Sequence, residues 1–291
     1  MYLERTNPHP RDARVSFFSG LVWDAQQGKS VYRRYYMVDG EKLENSSVST
    51  LKGVFVPNTF DAVRVSKGNV ALQKQWAANG RAAADFGTMH HEQFECYLDQ
   101  DPQLTEEQRL QNFVPHKKYP QYQRYEDLPA WAHFQWFLVK LEPWWQPYRV
   151  EWSVYSKAAR LPGQIDLVLR DTRCPEKLRL LVVDYKINKD PLKIFCSCGA
   201  GHAERDAMAH SAECEAVCRH PLTRHLLKTK ITEASVQTTI YAYILEQLYG
   251  AEVAGCRIAY LHPDELPLIH DVDMDTFMPL AGEMIRSRLA T

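Results

Sequence analysis

The spacing of apolar positions changes several times along the chain, and each change marks a new element. Val15-Ser16-Phe17-Phe18 and Val31-Tyr32-Arg33-Arg34-Tyr35-Tyr36-Met37-Val38 flank the polar Gln26-Gln27-Gly28-Lys29, which predicts a β-hairpin within a first segment of strands and turns. From Asn69 to about Asn79 the spacing is helical. Gly80 predicts a break or kink there, before a second helix carrying Phe86, Met89, Phe94 and Leu98. Trp131, Phe134, Phe137, Leu138 and Leu141 fall near one face of a helix over 128–141, which Pro143 helps to stop; that aromatic stripe reads as core.

Three apolar, β-branched runs then predict strands at about 148–156, 162–170 and 178–186. A Cys/His-rich segment follows, then a helix from Glu233 to Tyr249 closed by Gly250, a strand over Arg257–Leu261, a turn at His262-Pro263-Asp264 and a last helix from Thr276 to Leu289. This order predicts an α/β protein with a central mixed β-sheet flanked by helices. We read residues 1–65 as a β-rich N-terminal extension packed on a core spanning 66–291, which carries a Cys/His-rich insertion at 191–230.

Composition narrows the class without naming an activity. A hydrophobic share of 45% and a formal net charge of −1 describe an ordinary globular chain, so any nucleic-acid surface has to be a local patch. The apolar runs are far shorter than the roughly 20 residues that span a bilayer, and Met1–Pro10 lacks the basic-then-apolar order of a secretory signal. The expectation is an intracellular protein, cytoplasmic or nuclear, with no membrane contact. In such a compartment the 7 cysteines serve as free thiols or metal ligands rather than as a disulfide framework.

The chemistry concentrates in two of the strands. Asp166 sits in Leu161-Pro162-Gly163-Gln164-Ile165-Asp166-Leu167-Val168-Leu169, and Asp184 and Lys186 in Leu180-Leu181-Val182-Val183-Asp184-Tyr185-Lys186. An ionised carboxylate in such a run is costly unless a cation or hydrogen bonds compensate it. Two carboxylates brought together repel each other, and a hard divalent cation relieves that repulsion. Asp184 and Lys186 are two apart, so a strand sets them on one face. Taken alone, the triplet reads as a surface-strand salt bridge.

The company of these residues is more specific. Gly163-Gln164-Ile165-Asp166, then Val182-Val183-Asp184-Tyr185-Lys186, then Gln237-Thr238-Thr239-Ile240-Tyr241 follow in order, after Gly87-Thr88-Met89-His90-His91-Glu92-Gln93-Phe94-Glu95 upstream. Over roughly residues 47 to 262 the chain resembles the PD-(D/E)XK nuclease superfamily, in particular its RecB-like and lambda-exonuclease-like branch. The resemblance implies a restriction-endonuclease-like core and a Mg²⁺- or Mn²⁺-dependent nuclease acting on DNA, at single- or double-stranded ends. It implies that Asp166 and Asp184 bind the catalytic metal with the main-chain carbonyl of Tyr185, and that Lys186 is the catalytic lysine. The first-helix histidine of that branch supplies a metal ligand or closes the site; His91, four after Gly87, is the one it selects over His90, and Glu95 lies i, i+4 from His91 on the same helical face, so either or both can reach the same cation. Gln237 and Tyr241 match a motif that holds the DNA strand, and Glu151 matches a supporting acid on the preceding strand.

The connection between Lys186 and Gln237 departs from that family. Cys196, Cys198, Cys214 and Cys218 form two close pairs, a candidate structural Zn²⁺ site or four unligated thiols. Arg219, Arg224, Lys228 and Lys230 follow with no acid among them, a stretch that can track a phosphate backbone or form a solvated basic face. Two rival readings stay open: a catalytically silent nucleic-acid-binding or assembly module of the same fold, and a zinc-stabilised interaction factor.

Overall fold

The computed structural model describes residues 2–24, 29–43, 46–57, 62–187, 220–226 and 229–289. In chain order the elements are α1 (Tyr2–Thr6), β1 (Val15–Asp24), β2 (Lys29–Val38), β3 (Glu41–Leu43), α2 (Val48–Phe55), α3 (Ala62–Val65), α4 (Val70–Leu98), α5 (Glu106–Leu110) and α6 (Trp131–Lys140). They continue with β4 (Trp145–Ser156), β5 (Leu161–Asp171), β6 (Arg179–Lys186), α7 (Lys230–Tyr249), β7 (Glu252–Tyr260), β8 (Leu268–Asp271) and α8 (Met274–Leu289).

A five-stranded mixed sheet in the order β4-β5-β6-β7-β8 organises the α/β fold. Its pairs are antiparallel except for the parallel β6–β7 pair, whose long crossover includes α7. Both faces are covered, which explains why Leu180–Val183 is an unbroken apolar run. Leu180 and Val182 join Leu51 of α2, Ile240 of α7 and Met284 of α8 in one core. Leu181 and Val183 point the other way, into a second core with Met89 and Phe94 of α4 and Phe134 of α6.

The three-stranded sheet β1-β2-β3 stands beside β4. Val15 and Val38 are register partners at the root of the hairpin and pack with Leu43 on Tyr155 of β4. The segment leading into β1 is tied to the same strand: Asp12 accepts the Trp152 indole N–H at 2.9 Å and pairs with the buried Arg149 guanidinium at 2.9 Å.

The hairpin and the three central strands match their expected positions, as do the α6, α7 and α8 helices to within a few residues at their ends. The expected break at Gly80 is corrected: α4 runs through it for 29 residues. An exposed helical glycine costs only about 1 kcal/mol, and the alanines around Gly80 are strong helix formers. Helix α2 was not expected, although Ser47 caps it by accepting the Thr50 N–H at 3.1 Å, and Val48, Leu51 and Phe55 make its buried stripe. Strand β8 was likewise unforeseen. Among the described residues no helix is long and apolar enough to cross a membrane.

Candidate metal centre

The site lies where the regular pairing of three strands fails. The β5–β6 ladder begins at Leu167–Val183, so Asp166 and Asp184 fall opposite each other one position beyond its end. There the Asp166 side chain replaces the missing ladder bond, with Oδ2 accepting the Tyr185 N–H at 2.9 Å. In a strand the N–H and C=O of one residue point to the same side, so the Tyr185 carbonyl is directed towards β5 as well.

On the other side of β5, the register with β4 passes from Val150–Leu167 to Trp152–Ile165, leaving Glu151 and Asp166 between. Residues two apart in a strand share a face. Here Val150 and Leu167 belong to the core under α4 and α6, whereas Trp152 and Ile165 belong to the core under α2 and α7. Both strands therefore reverse their alternation at the Glu151–Asp166 position. Glu151 carries the reversal in its backbone, with φ at +43°, a conformation that costs a non-glycine residue roughly 1–2 kcal/mol.

Helix α4 brings His91 onto this pair. Its Nδ1 lies 3.6 Å from Asp166 Oδ2 and 3.8 Å from Glu151 Oε1, and one ligand atom from each of the three residues fits within 4.8 Å of the others. An octahedral cation with bonds of about 2.1 Å sets adjacent ligands about 3.0 Å apart and opposite ones about 4.2 Å apart, so these spacings suit a small divalent ion. The two carboxylates suit Mg²⁺ or Mn²⁺, whereas an imidazole nitrogen is a poor partner for Mg²⁺ and tilts the donor set towards Mn²⁺. The residues present thus fit the metal.

Charge at this point is poorly matched. Burial raises the Glu151 pKa, Asp166 adds to the rise, and His91 opposes it. Burial works against protonating His91, but Asp166 and Glu151 outweigh it and lift its pKa to about 9. Burial, with Glu151 and Asp99 nearby, raises Glu95 to about 7. The adjacent His90 has a different fate. It is fully buried between Phe86 and Phe94, donates from Nδ1 to the Phe86 carbonyl at 2.9 Å, and is pushed down to about 4 by burial.

Asp184 and Lys186 form the second half of the site. Lys186 Nζ lies 2.6 Å from Asp184 Oδ2, as expected from their shared face. Burial pushes the Asp184 carboxyl up and Lys186 pulls it back, with a net rise. Behind the pair stands Lys52 of α2, which donates to Gln237 Oε1 at 3.5 Å and lies 4.0 Å from Glu233. Burial lowers its pKa, and the nearby Lys186 charge adds to that. The sequence reading missed Lys52; the capped, amphipathic spacing of α2 was the available signal.

Gln237 donates to the Tyr241 hydroxyl at 3.5 Å, and both line a cavity of about 870 Å³ together with Asp166, Glu151, His91 and Glu95. Gly163 explains how Tyr241 gets there. A Cβ on Gly163 would overlap Tyr241 Cε1 and come within 2.9 Å of Val48 Cγ2, so only glycine lets the α7 tyrosine lie against β5.

The remaining candidates divide. Arg224 is exposed and Lys230 pairs with Glu233 at 3.1 Å, and neither lines the cavity. Arg219, Lys228, Cys196, Cys198, Cys214 and Cys218 lie outside the described residues. Cys96, Cys174 and Cys256 are free thiols.

Compared with known proteins, the chain matches no family model and no curated protein.

Proposed function

We propose that the protein is a divalent-metal-dependent DNA nuclease of the PD-(D/E)XK type, acting at DNA ends as an exonuclease or end-processing enzyme. The observation that carries this reading is the row Glu151, Asp166 and Asp184 across three adjacent strands, with His91 above it and Lys186 beside it. The five-stranded mixed sheet with helices on both faces is compatible with a restriction-endonuclease-like core. The preference for ends rests on the resemblance alone.

In this reading His91, Glu151, Asp166 and Asp184, with the Tyr185 carbonyl, would hold Mg²⁺ or Mn²⁺. The bound metal supplies a more acidic water and neutralises charge on the phosphate oxygens. Lys186 orients the attacking water or faces the developing negative charge. Glu95, titrating near neutrality, can take up the proton that the attacking water releases. Gln237 and Tyr241 hold the strand beside the reacting phosphate. Hydrolysis adds water across one P–O bond, leaving one phosphomonoester and one hydroxyl end.

The test is cleavage of end-labelled single- and double-stranded DNA in Mg²⁺, Mn²⁺ or EDTA, alongside Asp184→Ala and Lys186→Ala. Metal-dependent cleavage lost in both folded variants supports the assignment. Cleavage by folded Asp184→Ala at the wild-type rate refutes it, and metal-independent DNA binding without cleavage would assign a binding module instead.

A further inference from the structure

The cavity above the acids has a second, aromatic wall contributed by the N-terminal sheet. Val15 and Val38 bury the root of the hairpin on Tyr155; the next pair on the same face, one pleat further out, is Phe17 and Tyr36. Their ring centroids are 4.9 Å apart and their planes are tilted by 44°. Both residues line the cavity, and Phe17 remains 38% exposed, unusual for an aromatic that faces inward. Tyr36 is also close enough to Tyr241 for its hydroxyl to add to the rise that burial imposes on the Tyr241 pKa. The aromatic wall and the metal centre therefore face one space.

Two further properties of that space define its occupant. Its volume of about 870 Å³ falls within the roughly 300–1,000 Å³ of sites that hold a small organic ligand, a size that admits the bases at the end of a single strand. Among the described residues lining it are Glu92, Glu95, Glu151 and Asp166 but neither lysine nor arginine. This part of the described lining offers a phosphate no cationic side chain. Aromatic stacking can hold a base there, because every base presents a π-face whatever the sequence.

We propose that Phe17 and Tyr36 form a stacking subsite for the unpaired bases of a single-stranded DNA end, holding the strand while its phosphate meets the metal centre. This rests on the nuclease reading for its substrate class, and it adds a strand requirement: the enzyme takes a frayed or single-stranded end and rejects a blunt duplex.

The experiment uses the full chain in Ca²⁺ and a short single strand carrying 2-aminopurine near its end, read by fluorescence. Stacking quenches the probe; Phe17→Ala and Tyr36→Ala should each weaken binding by roughly 5- to 150-fold and relieve the quenching. Phe17→Trp should restore both, and Phe18→Ala, which does not line the cavity, should bind as wild type. Wild type and Phe17→Ala should bind an abasic strand equally weakly. Phe17→Leu, which keeps the apolar bulk without the π-face, covers the case in which Phe17→Ala unfolds. Unchanged affinity in the folded Phe17 and Tyr36 variants, or tight binding of the abasic strand, would overturn the proposal. Cleavage in Mn²⁺ is scored separately: no cleavage of any strand defeats the nuclease reading, while the fluorescence still decides the stacking.

Discussion

The β5–β6 ladder has an aspartate just beyond each of its ends, and the two have opposite surroundings. Asp171, at one end, is fully buried and bonded by Arg173 at 2.7 and 2.9 Å and by Arg179 at 3.0 Å. Those guanidinium groups hold its carboxyl well below the usual range. Close by, Arg257 grips Glu142 at 2.8 and 2.9 Å and holds that carboxyl down at about 2. Asp166, at the other end, shares its neighbourhood with Glu151, Glu95 and Asp184, all with raised pKa values. No arginine pairs with those four among the described ion pairs. One end of the ladder is finished as structure, with each acid matched to a fixed cation. The other gathers four acids, three of them half-buried, around His91 and Lys186, and a divalent cation would relieve the crowding.

The contrast is broken most severely by exchanging the fates of the two ends. Lys186→Ala or Asp184→Ala should lower DNA cleavage by about 10²–10⁴-fold without unfolding the chain, measured by initial rates and a melting curve. Asp171→Ala should do the reverse: a lower melting temperature, because Arg173 and Arg179 lose their buried partner, with near-normal rates in the folded fraction. Equal loss of activity from Asp171→Ala at a temperature where it remains folded would erase the distinction.

Gly163→Ala should come next, at about 1–3 kcal/mol of stability, since Tyr241 and Val48 must move to admit a methyl group. The accompanying readout is weaker DNA binding through the displaced Tyr241.

Acidity gives a smaller but more diagnostic effect. Glu95 has a folded pKa of about 7 against an ordinary 4.5, so the folded protein binds more protons than the unfolded chain between those values. Its contribution is complete below about pH 4.5 and is lost as the pH rises to about 7. His91, raised from 6.5 to about 9, has the same sign over that higher window. Metal-free protein should therefore melt lower at pH 9 than at pH 5, Glu95→Gln should flatten the lower part of that fall, and Mn²⁺ should reverse it. Apparent Mn²⁺ affinity should climb up to about pH 9 as the His91 proton is displaced. A melting temperature that rises steadily from pH 5 to 9 without metal would contradict the charge imbalance.

The smallest effect is expected at Glu151. Glycine relieves the strain of φ +43°, so Glu151→Gly should match or slightly exceed wild-type stability in EDTA while losing Mn²⁺ affinity. Calorimetry with and without Mn²⁺ separates the two.

Much of this arrangement could be read from the chain because it rests on strand periodicity. The apolar runs located β5 and β6, the two-residue spacing put Lys186 beside Asp184, and the i, i+4 spacing set His91 and Glu95 on one face. What escaped depends on backbone conformation or on packing between distant elements. No residue pattern announces that Glu151 takes a left-handed conformation in mid-strand, which brings a supporting acid into the candidate metal cluster with His91 and Asp166. Lys52 reaches the site because α2 packs on α7, a contact between segments far apart in sequence. Gly80 misled because a lone glycine is a weak helix breaker, outweighed by its alanine neighbours.

Helix α4 has a mechanical consequence beyond the residues it delivers. Over 29 residues it extends about 43 Å. Its buried positions, however, begin at Met89 and end at Leu98, and the turns before them are largely open to solvent. It is a cantilever clamped at the end that bears His91. Amide exchange along it should step from fast to slow near Phe86, and bending the free end at Gly80 should leave the imidazole in register with Asp166.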